Sequence, residues 1–239
     1  MRYEIFRADS RGGADYGWLK TKYSFSFAEY YAPNRMGFGA LRVLNDDTIL
    51  GGGGFPFHSH KDMEIVTIPF SGALEHKDTS GGSGIIKAGD VQIMSAGSGI
   101  THSEFNHSKT EALSLFQIWI TPEKEGLTPR YEQKIFPKER RLNTFQLLVS
   151  PEGGEPLKIH QHAYISIADF DADTHLSYNL HGKNQGLFCI NIKGEISILD
   201  EKLNEKDAIE ITGASAIALQ GRAGTMALVI EIPLGQLDR

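Results

Sequence analysis

The sequence predicts an all-β protein of sandwich or barrel type. Short runs of β-branched and aromatic residues recur along the chain, each stopped by Gly, Asn or Pro. No helical periodicity of useful length interrupts them. The second half repeats the rhythm of the first.

The chain has 239 residues, 40% of them hydrophobic and 23% charged, an ordinary globular composition. That length allows one large domain or two smaller ones, each able to bury a core. The net charge of −6 and pI near 5.8 give no support to nucleic-acid binding. No apolar run is long enough to span a membrane, and the first residues show no signal-peptide core. A lone Cys189 fits a reducing, cytoplasmic setting and reads as a small buried hydrophobe.

Residues 11–33 are aromatic-rich, and Phe25 and Phe27 alternate with Ser24 and Ser26 as in a half-buried strand. Residues 41–44 read as a strand and Asn45-Asp46-Asp47 as a turn. Gly51–Gly54 needs unusual backbone angles, but no Lys-Ser/Thr or helix follows, so it is no phosphate loop. Residues 65–68, 74–78, 85–87, 91–94 and 113–120 read as further strands. Residues 121–141, charged and broken by Pro122, Pro129 and Pro137, read as a crossover. Strands resume at 145–149 and continue through 163–167, 187–192, 195–199, 208–211, 216–219 and 226–232.

The chemistry lies between residues 57 and 106. His58 and His60 stand two apart, as do His102 and Glu104. Side chains two apart on a strand share a face, so both pairs can converge inside one small barrel. Three imidazoles and a carboxylate suit a first-row transition metal rather than Ca or Mg. Glu64 has the parity of His58 and His60 and reads as an internal carboxylate beside the site, with direct ligation the less favoured alternative. His76 and His107 fall outside the parity argument and read as structural or exposed. His160-Gln161-His162 repeats the H-x-H spacing but has no partner pair downstream, and is read as a surface or hydrogen-bonded feature.

These residues resemble the two cupin motifs. The first is read at Gly52, His58, His60 and Glu64, and the second at Gly89, Gly97, His102 and Asn106. Ser95 stands where the motif has Pro, and four residues separate Gly97 from His102. Both departures resemble the pirin branch, in which Glu104 would be the fourth ligand. The resemblance implies a bicupin, two antiparallel β-barrel (jelly-roll) domains packed together. The expected division is 1–124 as the metal-binding barrel, 125–144 as crossover and 145–239 as a metal-free barrel. Sliding one half onto the other places Leu180, Gly182, Leu219 and Gly221 at the ligand positions of the second barrel, and none of them can coordinate through a side chain. His181 lies one residue off register, which reverses its face.

The resemblance further implies one divalent metal, Fe(II) first and Ni, Cu, Mn, Co or Zn as alternatives. It also implies a dioxygenase that opens the ring of quercetin or a related flavonol with O2 and releases carbon monoxide. Glu104 would be ligand and catalytic proton acceptor, and the pocket mouth is expected near Phe55, Phe57 and Met94. Tyr16 carries no assigned function. The partners expected are a small aromatic substrate and O2, with no nucleic acid or membrane, on a monomer. The alternative class is a non-enzymatic regulator or metal-based redox sensor, since pirins of higher organisms act with transcription regulators.

Overall fold

The computed structural model describes residues 1–235. Among them there is no α-helix, only two 3-10 turns at Ala8–Ser10 and Lys138–Arg141. No helix is therefore long and apolar enough to cross a membrane. The strands form two barrels, each made of a seven-stranded and a four-stranded sheet. In the first barrel the large sheet runs, edge to edge, Arg130–Ile135, Asp90–Ser95, Glu64–Ser71, Leu113–Ile120, Leu41–Ile49, Leu19–Tyr23 and Gly12–Asp15. Its small sheet runs Gly54–His60, Ile100–Asn106, Ala73–Asp78 and Ser83–Lys87. The expected bicupin is the observed fold.

The two large sheets face each other across the main apolar core. Leu44, Val66, Ile93, Phe116 and Ile118 from the first half meet Val149, Ile165, Phe188, Ile190 and Ile230 from the second. Phe25 reaches across to Phe188, with ring centroids 5.7 Å apart. Strand alternation then sends the opposite faces of these sheets into the two barrel interiors. The interiors differ. The second is filled by Phe170, Leu187, Cys189, Ile209, Leu219 and Val229, so burial pushes the Cys189 thiol up to about 12. The first is lined by buried Asn45, Asp47, Thr67, Gln92, His102 and Glu104.

That polar interior corrects one reading of the sequence. Asn45-Asp46-Asp47 is not a turn but the middle of the nine-residue strand Leu41–Ile49, with Asn45 and Asp47 turned inward. Nor is 24–27 a half-buried strand. Ser24 and Ser26 are buried along with Phe25, and Ser26 Oγ closes a loop by donating to Ala32 O at 2.9 Å.

The start of the second barrel near residue 145 agrees with the sheets, where Gln146–Ser150 opens its strands, but two strands fall outside the expected division. Strand Arg2–Phe6 pairs with Ala208–Thr212 of the second barrel, while Arg130–Ile135 pairs with Asp90–Ser95 of the first. The first strand is held there by Arg35, whose guanidinium lies 3.3 Å over the Phe6 ring and 3.0 Å from Glu210.

Candidate metal centre

Strands Gly54–His60 and Ile100–Asn106 lie antiparallel, with His60 opposite Ile100 and His58 opposite His102. Beyond that point the register slips, and Glu104 faces Phe55. The slip is a bulge at Pro56, which has no N–H to give to the ladder. It changes the inward parity from even to odd along the first strand. Phe55 therefore lines the interior, while Phe57, two residues on, is 62% exposed.

The register brings His58, His60 and His102 together, with one nitrogen from each within 4.8 Å of the others. A second group, His76, His102 and Glu104, meets the same limit and shares His102. His76 is fully buried beside Glu104 in the ladder, so of the two expected readings, structural or exposed, it is not the exposed one. The cue available in the sequence was its own parity: His76 and Asp78 are two apart on a strand, like both ligand pairs.

Hydrogen bonds fix which atoms are free. His58 Nδ1–H donates to Pro56 O at 2.9 Å, leaving Nε2 with a lone pair. His102 Nε2 is buried without a partner among the described residues. Glu104 Oε2 accepts from Gln117 Nε2 at 2.7 Å, and Gln117 Oε1 accepts from Trp119 Nε1 at 3.1 Å. An indole can only donate, so the Gln117 amide must offer its NH2 to Glu104. Glu104 Oε1 is left unpartnered.

Burial, reinforced by the other imidazoles, holds His102 down to about 2, and burial with His58 holds His60 at about 4. Both rings are neutral at pH 7, the form that ligates. Burial pushes Glu104 up to about 7 against the hydrogen bond from Gln117. Neutral imidazoles, an orphaned ring nitrogen and an orphaned carboxylate oxygen fit a divalent transition metal.

Glu64 is not at this centre. It is buried against the other half of the chain, where Ser95 Oγ donates to it at 2.9 Å and His160 N at 3.2 Å. His160 is the hydrogen-bonded feature expected of it, and His162 sits 3.7 Å from Glu123. His181 in the second barrel stacks on Tyr164 and pairs with Glu231 at 2.9 Å. Asn106 braces a loop, donating from Nδ2 to Ile49 O at 2.9 Å and Glu111 O at 2.8 Å. Gly97, at φ +48, needs its missing side chain, since a Cβ would lie 2.0 Å from Leu127 O.

A cavity of about 350 Å³ opens beside His58, His60 and Glu104. Trp18, Tyr23, Phe27, Phe55 and Trp119 wall it, and Thr21, Asn45, Asp47, Glu104 and Gln117 give it a polar lining. Tyr16 lines it too, so the residue given no weight in the sequence is part of the pocket. Phe57 and Met94 do not line it. Phe57 is turned out by the bulge, and Met94 is buried with Ile65, Ala96 and Ile100.

Asp47 supplies a test of this polar lining. Burial pushes its carboxyl up to about 7, and its Oδ1 has no partner. A folded pKa above the unfolded ~3.9 means that the stability it contributes is complete below about pH 4 and is lost as pH rises to about 7. At ~1.4 kcal/mol per unit, the wild type is expected to lose on the order of 3 kcal/mol from this group between pH 5 and 8. Denaturant unfolding of metal-free Asp47→Asn at the two pH values should show a correspondingly flatter dependence. Equal pH slopes in the two proteins would refute the burial argument.

A small antiparallel barrel that brings histidines from two neighbouring strands together in its interior has the form of a cupin-type metal centre. Comparison with known proteins agrees. Residues 5–120 match the Pirin family, and residues 147–232 match the quercetinase C-terminal cupin domain. The chain belongs to the pirin family of the cupins. A protein of Escherichia coli K12 named quercetin 2,3-dioxygenase is 41% identical over 228 residues, covering 95% of this chain and 97% of its own. A pirin-like protein of Caulobacter vibrioides is 43% identical over 213 residues, covering 88% of this chain and 91% of its own. The crystal structure of bacterial pirin YhhW from E. coli in complex with nickel(II) is 40% identical, with a TM-score of 0.92 over 98% of this chain and all of that one.

Proposed function

We propose that this chain is a metal-dependent dioxygenase that opens the ring of quercetin or a related flavonol, with His58, His60, His102 and Glu104 as ligands. The observation that carries the reading is a flat-walled aromatic cavity ending at a cluster of neutral imidazoles and a free carboxylate oxygen. The names of the relatives support the choice of flavonol, and the nickel complex of YhhW supports a metal at this place. A bound divalent transition metal supplies a Lewis acid for the flavonol 3-hydroxyl and a redox partner for dioxygen.

The protein supplies the rest. Trp18, Phe27, Phe55 and Trp119 take the flat ring system and exclude water. The Trp119 edge also sets the His60 ring, 4.9 Å away at 82°. Glu104 Oε1 accepts the 3-hydroxyl proton, while Gln117 holds the other oxygen in place.

The experiment is oxygen consumption with carbon monoxide detection, on protein reconstituted separately with Fe(II), Ni(II), Cu(II), Mn(II), Co(II) and Zn(II). Quercetin should be consumed by at least one form, and a flavone lacking the 3-hydroxyl by none. No turnover above a metal-only control in any form would end the dioxygenase reading.

A further inference from the structure

We infer that Asp78 and His76 are positioning residues that fix the tautomer of His102 and so aim its Nε2 lone pair at the metal. This rests on the metal-centre reading above and goes beyond it, since neither residue is in the proposed ligand set. The three side chains form a buried line. His76 Nε2 lies 2.8 Å from Asp78 Oδ2, and His76 Nδ1 lies 3.4 Å from His102 Nδ1. His76 and His102 are fully buried, as is the Asp78 side chain.

Each link dictates the next. Asp78 Oδ1 already accepts from Ser80 N at 2.8 Å, Ser80 Oγ at 2.7 Å and Gly82 N at 3.0 Å. Its other oxygen, an acceptor, makes His76 carry its proton on Nε2. His76 Nδ1 is then a lone pair, so the facing His102 Nδ1 must carry a proton. His102 Nε2 is left unprotonated and unpartnered, within reach of His58 and His60. Tyr131 stacks on the His76 ring at 4.7 Å and 21°, holding its plane. The line also takes His76 out of the candidate ligands. Its Nδ1 is engaged by His102 Nδ1, which leaves His102 its Nε2 to offer.

The test is Asp78→Asn. The three donors at Oδ1 require the amide oxygen there, which turns the NH2 toward His76. His76 Nε2 must now accept, its proton moves to Nδ1, and His102 is pushed to the Nε2–H form that cannot ligate. Long-range 15N–1H NMR of the metal-free proteins reads the tautomers directly. The wild type is expected to show His76 protonated on Nε2 and His102 on Nδ1, with both reversed in the variant. Titration with Ni(II) against a competing chelator should show affinity falling roughly 10- to 100-fold, the usual cost of losing a group that orients a ligand.

A wild-type His102 protonated on Nε2 overturns the inference, and this measurement decides even if the variant does not fold. Reversed tautomers with undiminished Ni(II) affinity overturn it as well. A wild type that takes up Ni(II) without perturbing His58 and His60 overturns the metal-centre reading instead, and the relay with it.

Discussion

His58→Ala and His60→Ala are each expected to lose stoichiometric metal while keeping the fold. Four-ligand zinc sites in small domains are worth roughly 10–16 kcal/mol, so an equal share per ligand is about 2.5–4 kcal/mol. Removing one should cut affinity by about 10²- to 10³-fold. The cost to the apo fold should be small. Both side chains are only half-buried, on a strand that forms one edge of the four-stranded sheet. His102→Ala is a less clean test, because it also leaves His76 Nδ1 without its buried partner. Metal per chain by elemental analysis, beside the melting temperature of the apo protein, checks the prediction. Full occupancy in both variants would remove His58 and His60 from the centre.

What the sequence makes legible follows from what a period of two can carry. His58/His60 and His102/Glu104 could be picked out because each pair lies within one strand, and the ladder then sets His58 opposite His102. The apolar filling of the second barrel was legible for the same reason: Leu219, which falls at one of the ligand-equivalent positions, is buried among apolar side chains. Features that depend on register between strands were not. The bulge at Pro56 moved Phe57 out of the pocket; a Pro inside a strand hints at a bulge but does not give the register on its far side. His76 and Asp78 matter through a strand that is neighbour to Ile100–Asn106, a pairing that periodicity does not reveal.

Asn45-Asp46-Asp47 misled for a different reason. Polar clusters mark turns where interiors are apolar, but this interior is the site, so inward residues are polar by function. Strand Arg2–Phe6 joins the far barrel through a long-range pairing that composition alone does not encode.

Glu104→Gln is expected to abolish most turnover while leaving flavonol binding nearly intact. The substitution keeps the shape of the side chain but not its options. Gln117 must point its NH2 at position 104, because its oxygen is taken by Trp119 Nε1. A glutamine at 104 answers with its own oxygen, which sends its NH2 to the place of Oε1. The group at the place of Oε1 then becomes a donor, unable to ligate or to accept a hydroxyl proton. Loss of a positioned proton acceptor typically costs about 10²- to 10⁴-fold in rate. The aromatic walls that hold the flavonol are untouched, so the effect should fall on kcat more than on the dissociation constant. Single-turnover rates under saturating metal, beside quercetin binding followed by tryptophan fluorescence, separate the two. A variant that binds and turns over like the wild type would show that Oε1 neither ligates nor takes the proton. Loss of binding in proportion to rate would assign Glu104 to substrate recognition instead.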